Sequence, residues 1–270
     1  MLDGSFRAIG VIQSAYETKS EVVAAALFNS AAAFAFAFLA GHIVWALAYD
    51  VNIKEQGRAT ALLTLLGRLF PHLFIVNSVV FYDWYSVLSR LFYDEGLKAA
   101  NFIGLEPSEV VASGSLMVLL LWDEVNLLSV TDPGGLALKL FFSFAIISAY
   151  LWVGTKILGA LFEEAIVDGV GILFVGLGAS RLTFGFFQSF VVLKVSVGIR
   201  LLVYTVGVFI MSNVLLEAYN IAEADAWTFE QVVEYTFSAL AVPLLLPGTA
   251  ERISGTVSRV FEHHFPALLG

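Results

Sequence analysis

Cysteine is absent from the 270 residues, and charged residues are scarce at 14%. Without cysteine the chain forms no disulfide and no thiolate metal site. Its 14 Lys and Arg stand against 23 Asp and Glu, which gives a formal net charge of −9. A fixed nucleic-acid-binding surface needs clustered cations that displace condensed counterions, so we expect no stable nucleic-acid binding.

Hydrophobic residues are abundant instead, at 59% of the chain. A water-soluble domain of this size could not cover so much apolar surface with polar groups. We therefore predict an all-α, polytopic membrane protein of roughly five to seven membrane segments, forming a single membrane domain over 1–270. Residues 1–21 are charged, and they lack the basic segment followed by a short apolar run that a signal peptide has. We expect them to be a retained extramembrane segment and not a cleaved signal peptide.

Long apolar stretches predict the membrane crossings, because a spanning helix needs about 20 mostly apolar residues. The stretches that approach or exceed this length are 22–49, 59–82, 135–162, 176–217 and 232–247. Residues 109–125 have fewer apolar positions and predict a short, tilted or re-entrant helix. Residues 165–180 are a shorter, glycine-rich stretch.

Two acidic stretches predict loops between these segments. Residues 83–109 are acidic and aromatic, and we place them in an outer loop. Glu163, Glu164 and Asp168 follow the apolar stretch that ends at residue 162. Three neighbouring carboxylates could hold an ion, but a break between two apolar runs favours a solvated loop.

Lys and Arg in short loops set the orientation of a membrane protein, because they are retained on the cytoplasmic side. Basic residues follow the first and last spans and occupy one turn, at Lys54, Arg58, Arg181, Arg252 and Arg259. The sequence therefore predicts an outside N-terminus and an inside C-terminus, provided that 109–125 crosses the membrane.

Motifs for metal binding or catalysis are lacking. His42, His72, His263 and His264 show no spacing typical of a metal site. We predict no metal ion, no cofactor other than a bound phospholipid, and no catalytic residue, so the protein is not expected to be an enzyme.

The stretch 165–180 contains four glycines, Gly169, Gly171, Gly176 and Gly178. They do not predict a dinucleotide-binding loop, because no strand precedes them and no acidic ribose partner follows. Small residues in an apolar helix let another backbone approach closely. We therefore interpret these glycines as helix-packing positions.

Two cations interrupt the longest apolar stretch, Lys194 and Arg200. A charge near the bilayer centre costs roughly 2.5–3.5 kcal/mol on insertion scales. We expect both side chains to extend to the membrane surface and to contact a lipid headgroup or a neighbouring subunit. The alternative is that they line a polar lumen or pair with an acid such as Glu163 or Glu234.

The surroundings of Lys194 follow from the same interpretation. Four aromatic residues precede it, at Phe184, Phe186, Phe187 and Phe190. Aromatic side chains anchor helices that lie in the plane of the membrane interface, so we expect this portion to lie there. Neither cation then requires a buried acid.

Several phrases of the sequence together resemble the TrbL family of conjugal transfer proteins. They are GRATALLTLLGRLFPHLFIVNSVVFYDWYSVLSRLF, LEPSEVVASGSLMVLLLW, GLGASRLTFGFFQSFVVLKVSVGIRLLVYTVG and VPLLLPGTAERISGTVS. The turn G-x-G-A-S-R before a Phe-rich helix and the proline-glycine exit from the last span carry most of the resemblance, which covers roughly residues 20 to 260.

The resemblance implies an inner-membrane component of a type IV secretion apparatus. It implies a ring of five identical copies that supports a periplasmic stalk or minor pilin-like subunit, works with secretion ATPases and other inner-membrane components, and contributes to the passage of DNA, protein or pilin subunits. Trp84, Tyr85 and Tyr93 in the outer loop are then the residues expected to contact the periplasmic partner.

A different class of function is a small secondary transporter or ion channel. Its polar centre would consist of Arg68, Lys194, Arg200 and Glu163. Transporters often contain inverted repeats with broken helices at matching positions. No such internal symmetry is visible, which favours the secretion scaffold.

Overall fold

The computed structural model describes residues 3–45, 91–98, 107–123, 133–180, 183–222 and 229–269, together with nine positions between 60 and 74. Five long helices account for most of these residues. They are α1 (Asp3–Trp45), α2 (Pro107–Asp123), α3 (Pro133–Leu177), α4 (Phe184–Ala222) and α5 (Phe229–Leu269). The described part of the chain contains no strand, and the predicted all-α membrane fold is confirmed.

Four of these helices are long and apolar enough to cross a membrane. The candidate spans are Thr18–Trp45, Gly134–Leu177, Phe184–Val214 and Val232–His263, and α2 is a shorter apolar helix. Proline stands at the first position of both α2 and α3, where it removes no helical hydrogen bond and its fixed φ suits the first turn. Of the predicted stretch 59–82, most positions lie outside the described residues.

The predicted loop at 163–168 is wrong, because α3 passes through it without interruption. The stretches 135–162 and 165–180 are therefore joined in one helix that is 45 residues long. At a rise of 1.5 Å per residue it extends over about 67 Å. Ala, Leu and Glu, which fill positions 160–165 together with one Phe, are strong helix formers. The acidic residues change the polarity of the helix but do not end it.

The proline-glycine exit predicted for the last span does not end its helix. α5 continues through Pro243, Pro247 and Gly248 as far as Leu269. Proline is tolerated within membrane helices because neighbouring groups and local adjustments satisfy the freed carbonyls. The polar residues from Glu251 onward therefore belong to the same helix as the apolar span.

The chain divides into two compact units, and α1, α3, α4 and α5 each contribute to both. Unit 1 consists of Met1–Ser14, Phe92–Phe162 and Ile199–Ser254, and unit 2 of Ala15–Leu91, Glu163–Gly198 and Gly255–Gly270. Since neither unit is a continuous piece of sequence, the single membrane domain stays a prediction.

Unit 1 is built on close packing of α2 against α3 and α5. Gly114 lies so near Tyr150 that an added Cβ would be 2.6 Å from the tyrosine ring. The Tyr235 hydroxyl donates a hydrogen bond to the carbonyl oxygen of Met117 at 3.2 Å. These contacts bury the fully enclosed side chains of the unit, which include Tyr150, Met117 and Leu121.

Unit 2 has a core of small and aromatic residues. α1 contributes Ala31, Ala35 and Leu39 to it, and the end of α3 and the start of α4 contribute the rest. The other buried members are Val167, Ile172, Val175, Ala179, Phe187, Phe190 and Val191. The hairpin described next thus contributes most of this core.

Candidate functional site: a buried ion pair in a helical hairpin

The end of α3 and the start of α4 form a helical hairpin in unit 2. The amide of Gly178 donates to the carbonyl of Val175 at 3.0 Å, and the amide of Thr183 donates to the carbonyl of Ser180 at 3.1 Å. The Thr183 hydroxyl donates to the carbonyl of Leu177, the last residue of α3. These bonds satisfy carbonyl groups that a helix end would otherwise leave without partners.

Aromatic side chains pack between the two arms of the hairpin. The rings of Phe174 and Phe190 are stacked, with centroids 5.6 Å apart and an interplanar angle of 4°. Phe187 and Phe190 are only 4% and 5% exposed. The expectation that these two residues anchor an in-plane helix at the membrane interface is therefore wrong, since they belong to the interior of the hairpin.

Farther from the turn, the arms are joined by an ion pair between Lys194 and Asp168. The Lys194 Nζ donates to Asp168 Oδ1. The Lys194 side chain is 1% exposed and that of Asp168 is 14% exposed. Because an isolated buried charge is very unfavourable, each group makes the burial of the other tolerable.

The ion pair corrects the sequence interpretation of Lys194. Its acid is neither Glu163 nor Glu234 but Asp168, which was interpreted as part of a solvated loop. The expectation that Lys194 needs no buried acid is wrong, because a 1% exposed ammonium group faces the carboxylate directly. The lipid-headgroup or subunit contact of Lys194 and Arg200 stays a prediction. Arg200 is half-buried and belongs to unit 1.

Helix α1 packs directly against the α3 arm. A Cβ added to Gly176 would lie 2.6 Å from the carbonyl oxygen of Ala31, and one added to Gly169 would lie 3.4 Å from that of Ser20. Only glycine fits at position 176 without a shift of backbone. Gly171 and Gly178 are also buried, and their predicted contribution to helix packing stays a prediction.

Two histidines lie beside the turn of the hairpin. His72 donates from Nδ1 to the carbonyl oxygen of Gly178 at 3.0 Å. Its ring lies 4.3 Å from that of His42 and 5.7 Å from that of Phe184. Both imidazoles are buried, so they contribute packing and a hydrogen bond at the end of α3. Among the described residues, no group of three or more His, Asp or Glu could hold a metal ion.

Other predicted site residues lie elsewhere. Trp84, Tyr85 and Arg68 are outside the described residues, while Tyr93 is half-buried in the helical segment 91–98. The sequence predicted Asp168 only as part of a solvated loop and did not pair it with Lys194, although a signal for that pairing existed. Asp168 and Lys194 are each 13 positions from Arg181 in the sequence. Residues equidistant from the turn face each other in an antiparallel hairpin, so recognition of the turn would have paired them.

Residues 52–248 match a known family, described as TrbL/VirB6 plasmid conjugal transfer protein. The match covers well over half of the 270 residues. The chain belongs to the TrbL/VirB6 family. The match includes α2, α3, α4, the part of α5 up to residue 248 and both members of the ion pair. No curated protein matches the sequence significantly.

Membership of the TrbL/VirB6 family, together with the apolar helices, makes the protein a membrane component of a conjugal transfer, or type IV secretion, system. The resemblance noted in the sequence is thus confirmed.

Proposed function

We propose that this TrbL/VirB6 protein is an inner-membrane scaffold of the secretion apparatus. Five identical copies form a ring that supports a periplasmic stalk or minor pilin-like subunit and contributes to the passage of substrate. The N-terminus is periplasmic and the C-terminus cytoplasmic. The protein itself catalyses no reaction and acts with the secretion ATPases and other inner-membrane components.

The observation that carries this proposal is the buried ion pair. Lys194 was the strongest candidate for a cation lining a pathway, but its side chain is 1% exposed and its charge is neutralised by Asp168. A group that serves passing ions or substrate must be accessible to them, whereas a group enclosed between two helices stabilises their arrangement. The pair therefore supports a structural role for the hairpin within a scaffold.

One observation favours the alternative, a small secondary transporter or ion channel. Ionisable residues within membrane segments often belong to ion or proton relays, and Asp168 retains 14% exposure. This reading predicts ion or proton flux through vesicles that contain the purified protein. It further predicts that Asp168→Asn abolishes the flux without preventing assembly.

The scaffold is tested by native mass spectrometry and electron microscopy of the protein purified from a conjugating donor strain. We expect a ring of identical subunits that recovers a periplasmic component and retains phospholipid. A monodisperse monomer that carries flux in vesicles would contradict the proposal and support the transporter. Fusions of a periplasm-specific and a cytoplasm-specific reporter to the C-terminus test the orientation.

A further inference from the structure

Three helices of unit 1 contain charge-free segments of the same length. Residues 140–155 of α3, 201–216 of α4 and 235–250 of α5 each comprise 16 residues. A charged residue flanks every segment on both sides. At 1.5 Å per residue each segment is about 24 Å long, which is shorter than the hydrocarbon core of about 30 Å in a typical bilayer.

Side-chain contacts bring the ends of these segments to a common level. Lys156, directly after the α3 segment, forms an ion pair with Glu251, directly after the α5 segment, at 3.0 Å. Gly207 in α4 is in contact with Leu246 in α5. Gly207 is seven positions from Arg200 and Leu246 is five positions from Glu251, so Arg200 lies near the same level. We call this level the Lys156 edge.

Helix α2 runs antiparallel to α3 along the whole charge-free segment. At one end the Trp122 Nε1 donates to Ser143 Oγ at 2.8 Å, and Lys139 Nζ lies 5.5 Å from the Trp122 ring. We call this end the Lys139 edge. At the other end, an added Cβ at Gly154 would lie 3.2 Å from the Pro107 carbonyl oxygen. The 17 residues of α2 thus reach from one edge to the other.

Each edge carries a lysine next to a tryptophan. Lys139 lies beside Trp122, and Lys156 Nζ is 5.0 Å from the Trp152 ring. Tryptophan is favoured where hydrocarbon meets headgroups, and so is an exposed lysine such as Lys156. Lys139 is itself buried, at 3% exposed, beside Trp122. Large exposed side chains between the two edges are apolar, for example Leu116, Phe144, Ile147, Phe209, Phe237 and Leu244.

We propose that unit 1 binds a hydrocarbon layer about 24 Å thick, bounded by the Lys139 edge and the Lys156 edge, and that α2 is a complete crossing of this layer. The partner of this surface is the acyl region of a locally thinned bilayer. This inference does not depend on the proposed ring or stalk. The layer could be wrong while the ring is right, and the reverse.

The layer has a consequence for sidedness. Glu109 at the start of α2 and Arg252 beside Glu251 lie at the Lys156 edge, whereas Gly134 lies beyond the Lys139 edge. A cytoplasmic C-terminus and an outer loop at 83–109 are then incompatible. Among the described residues, Lys139 is the basic residue at the Lys139 edge, whereas Lys156, Arg200 and Arg252 lie at the Lys156 edge. Because basic residues are retained inside, the Lys156 edge is cytoplasmic.

Depth measurements test the layer, and the absence of native cysteine makes single-cysteine spin labels specific. The variants are Leu116→Cys, Ile147→Cys and Leu244→Cys for the centre and Thr155→Cys and Thr249→Cys for the edge, all at exposed positions. The full chain is placed in phosphatidylethanolamine and phosphatidylglycerol vesicles. We expect the three central labels to be equally deep, with Thr155 about 12 Å shallower than Ile147 on α3. A Thr155 label as deep as that at Ile147, or a water-accessible Leu116 label, overturns the proposal.

Sidedness is measured independently with an impermeant maleimide, applied to bacterial cells before and after permeabilisation. We expect Glu109→Cys and Arg252→Cys to react from one side and Gly134→Cys from the other. Labelling of Glu109→Cys and Gly134→Cys from the same side would mean that α2 does not cross, and would overturn the proposal. Lys98→Cys serves as the matched control. The maleimide should label it from the same side as Glu109→Cys, because Gly96 packs on Leu202 near the Lys156 edge.

Discussion

The two units contain lysine-carboxylate pairs in opposite settings. In unit 1, Lys156 and Glu251 are 35% and 56% exposed at the end of charge-free segments. In unit 2, Lys194 and Asp168 are 1% and 14% exposed between the arms of a hairpin. A lysine–carboxylate ion pair therefore lies at an edge in unit 1 and holds two helices together in unit 2. In these two pairs, the exposed pair lies at an edge and the buried pair joins two helices.

The largest expected effect comes from removing one member of the buried pair. Asp168→Asn removes the carboxylate that neutralises Lys194, and loss of one partner of a buried pair costs about 3–5 kcal/mol. The measurement is the free energy of unfolding in mixed micelles during SDS titration, followed by circular dichroism. An unchanged free energy of unfolding would show that the pair does not fasten the hairpin.

A smaller effect is expected where α1 meets the hairpin. Gly176→Ala introduces a Cβ 2.6 Å from the Ala31 carbonyl oxygen, so α1 must shift, and we expect a loss of about 1–3 kcal/mol. The same titration measures it. Gly185→Ala is the matched control, because nothing lies within 4 Å of its added Cβ. Equal stability of the two variants would contradict the close approach of α1 and α3.

The smallest effect is expected at the exposed pair. Glu251→Gln leaves Lys156 beside Trp152 and in contact with water, and exposed ion pairs contribute only about 0–1 kcal/mol. High salt should weaken this pair more than the buried one. A loss as large as that of Asp168→Asn would remove the distinction between the two units.

Much of the fold could be predicted from the sequence, because long apolar stretches specify membrane helices almost independently of their neighbours. The continuity of α3 could not be predicted in this way. Residues 163–168 are polar, but helix ends depend on backbone conformation, and Glu and Ala favour the helix. Local polarity therefore gave a false boundary between 135–162 and 165–180.

The candidate site depended on contacts that composition does not reveal. Lys194 and Asp168 are 26 positions apart, and they meet only because the chain turns between Leu177 and Phe184. The headgroup contact predicted for Lys194 rested on the charge-free segment after Arg200. That segment belongs to unit 1, whereas Lys194 belongs to unit 2. Pairing residues about the turn would have been the more informative step.

We infer that the Lys194–Asp168 pair holds the two arms of the hairpin together and carries no ion or substrate. Conjugal transfer frequency tests it most directly, in donors whose own copy is replaced by Asp168→Lys, by Lys194→Asp, or by the exchanged double variant. A second double variant, Asp168→Leu with Lys194→Met, removes both charges, because apolar residues can replace a buried pair without loss of stability. Membrane levels and unfolding are measured alongside.

We expect each single variant to lower transfer frequency. The double variants that fold should restore most of it, since only the arrangement of the helices matters. Folded double variants with normal membrane levels that transfer as poorly as the single variants would contradict this inference. The charges themselves would then be required for passage through the apparatus.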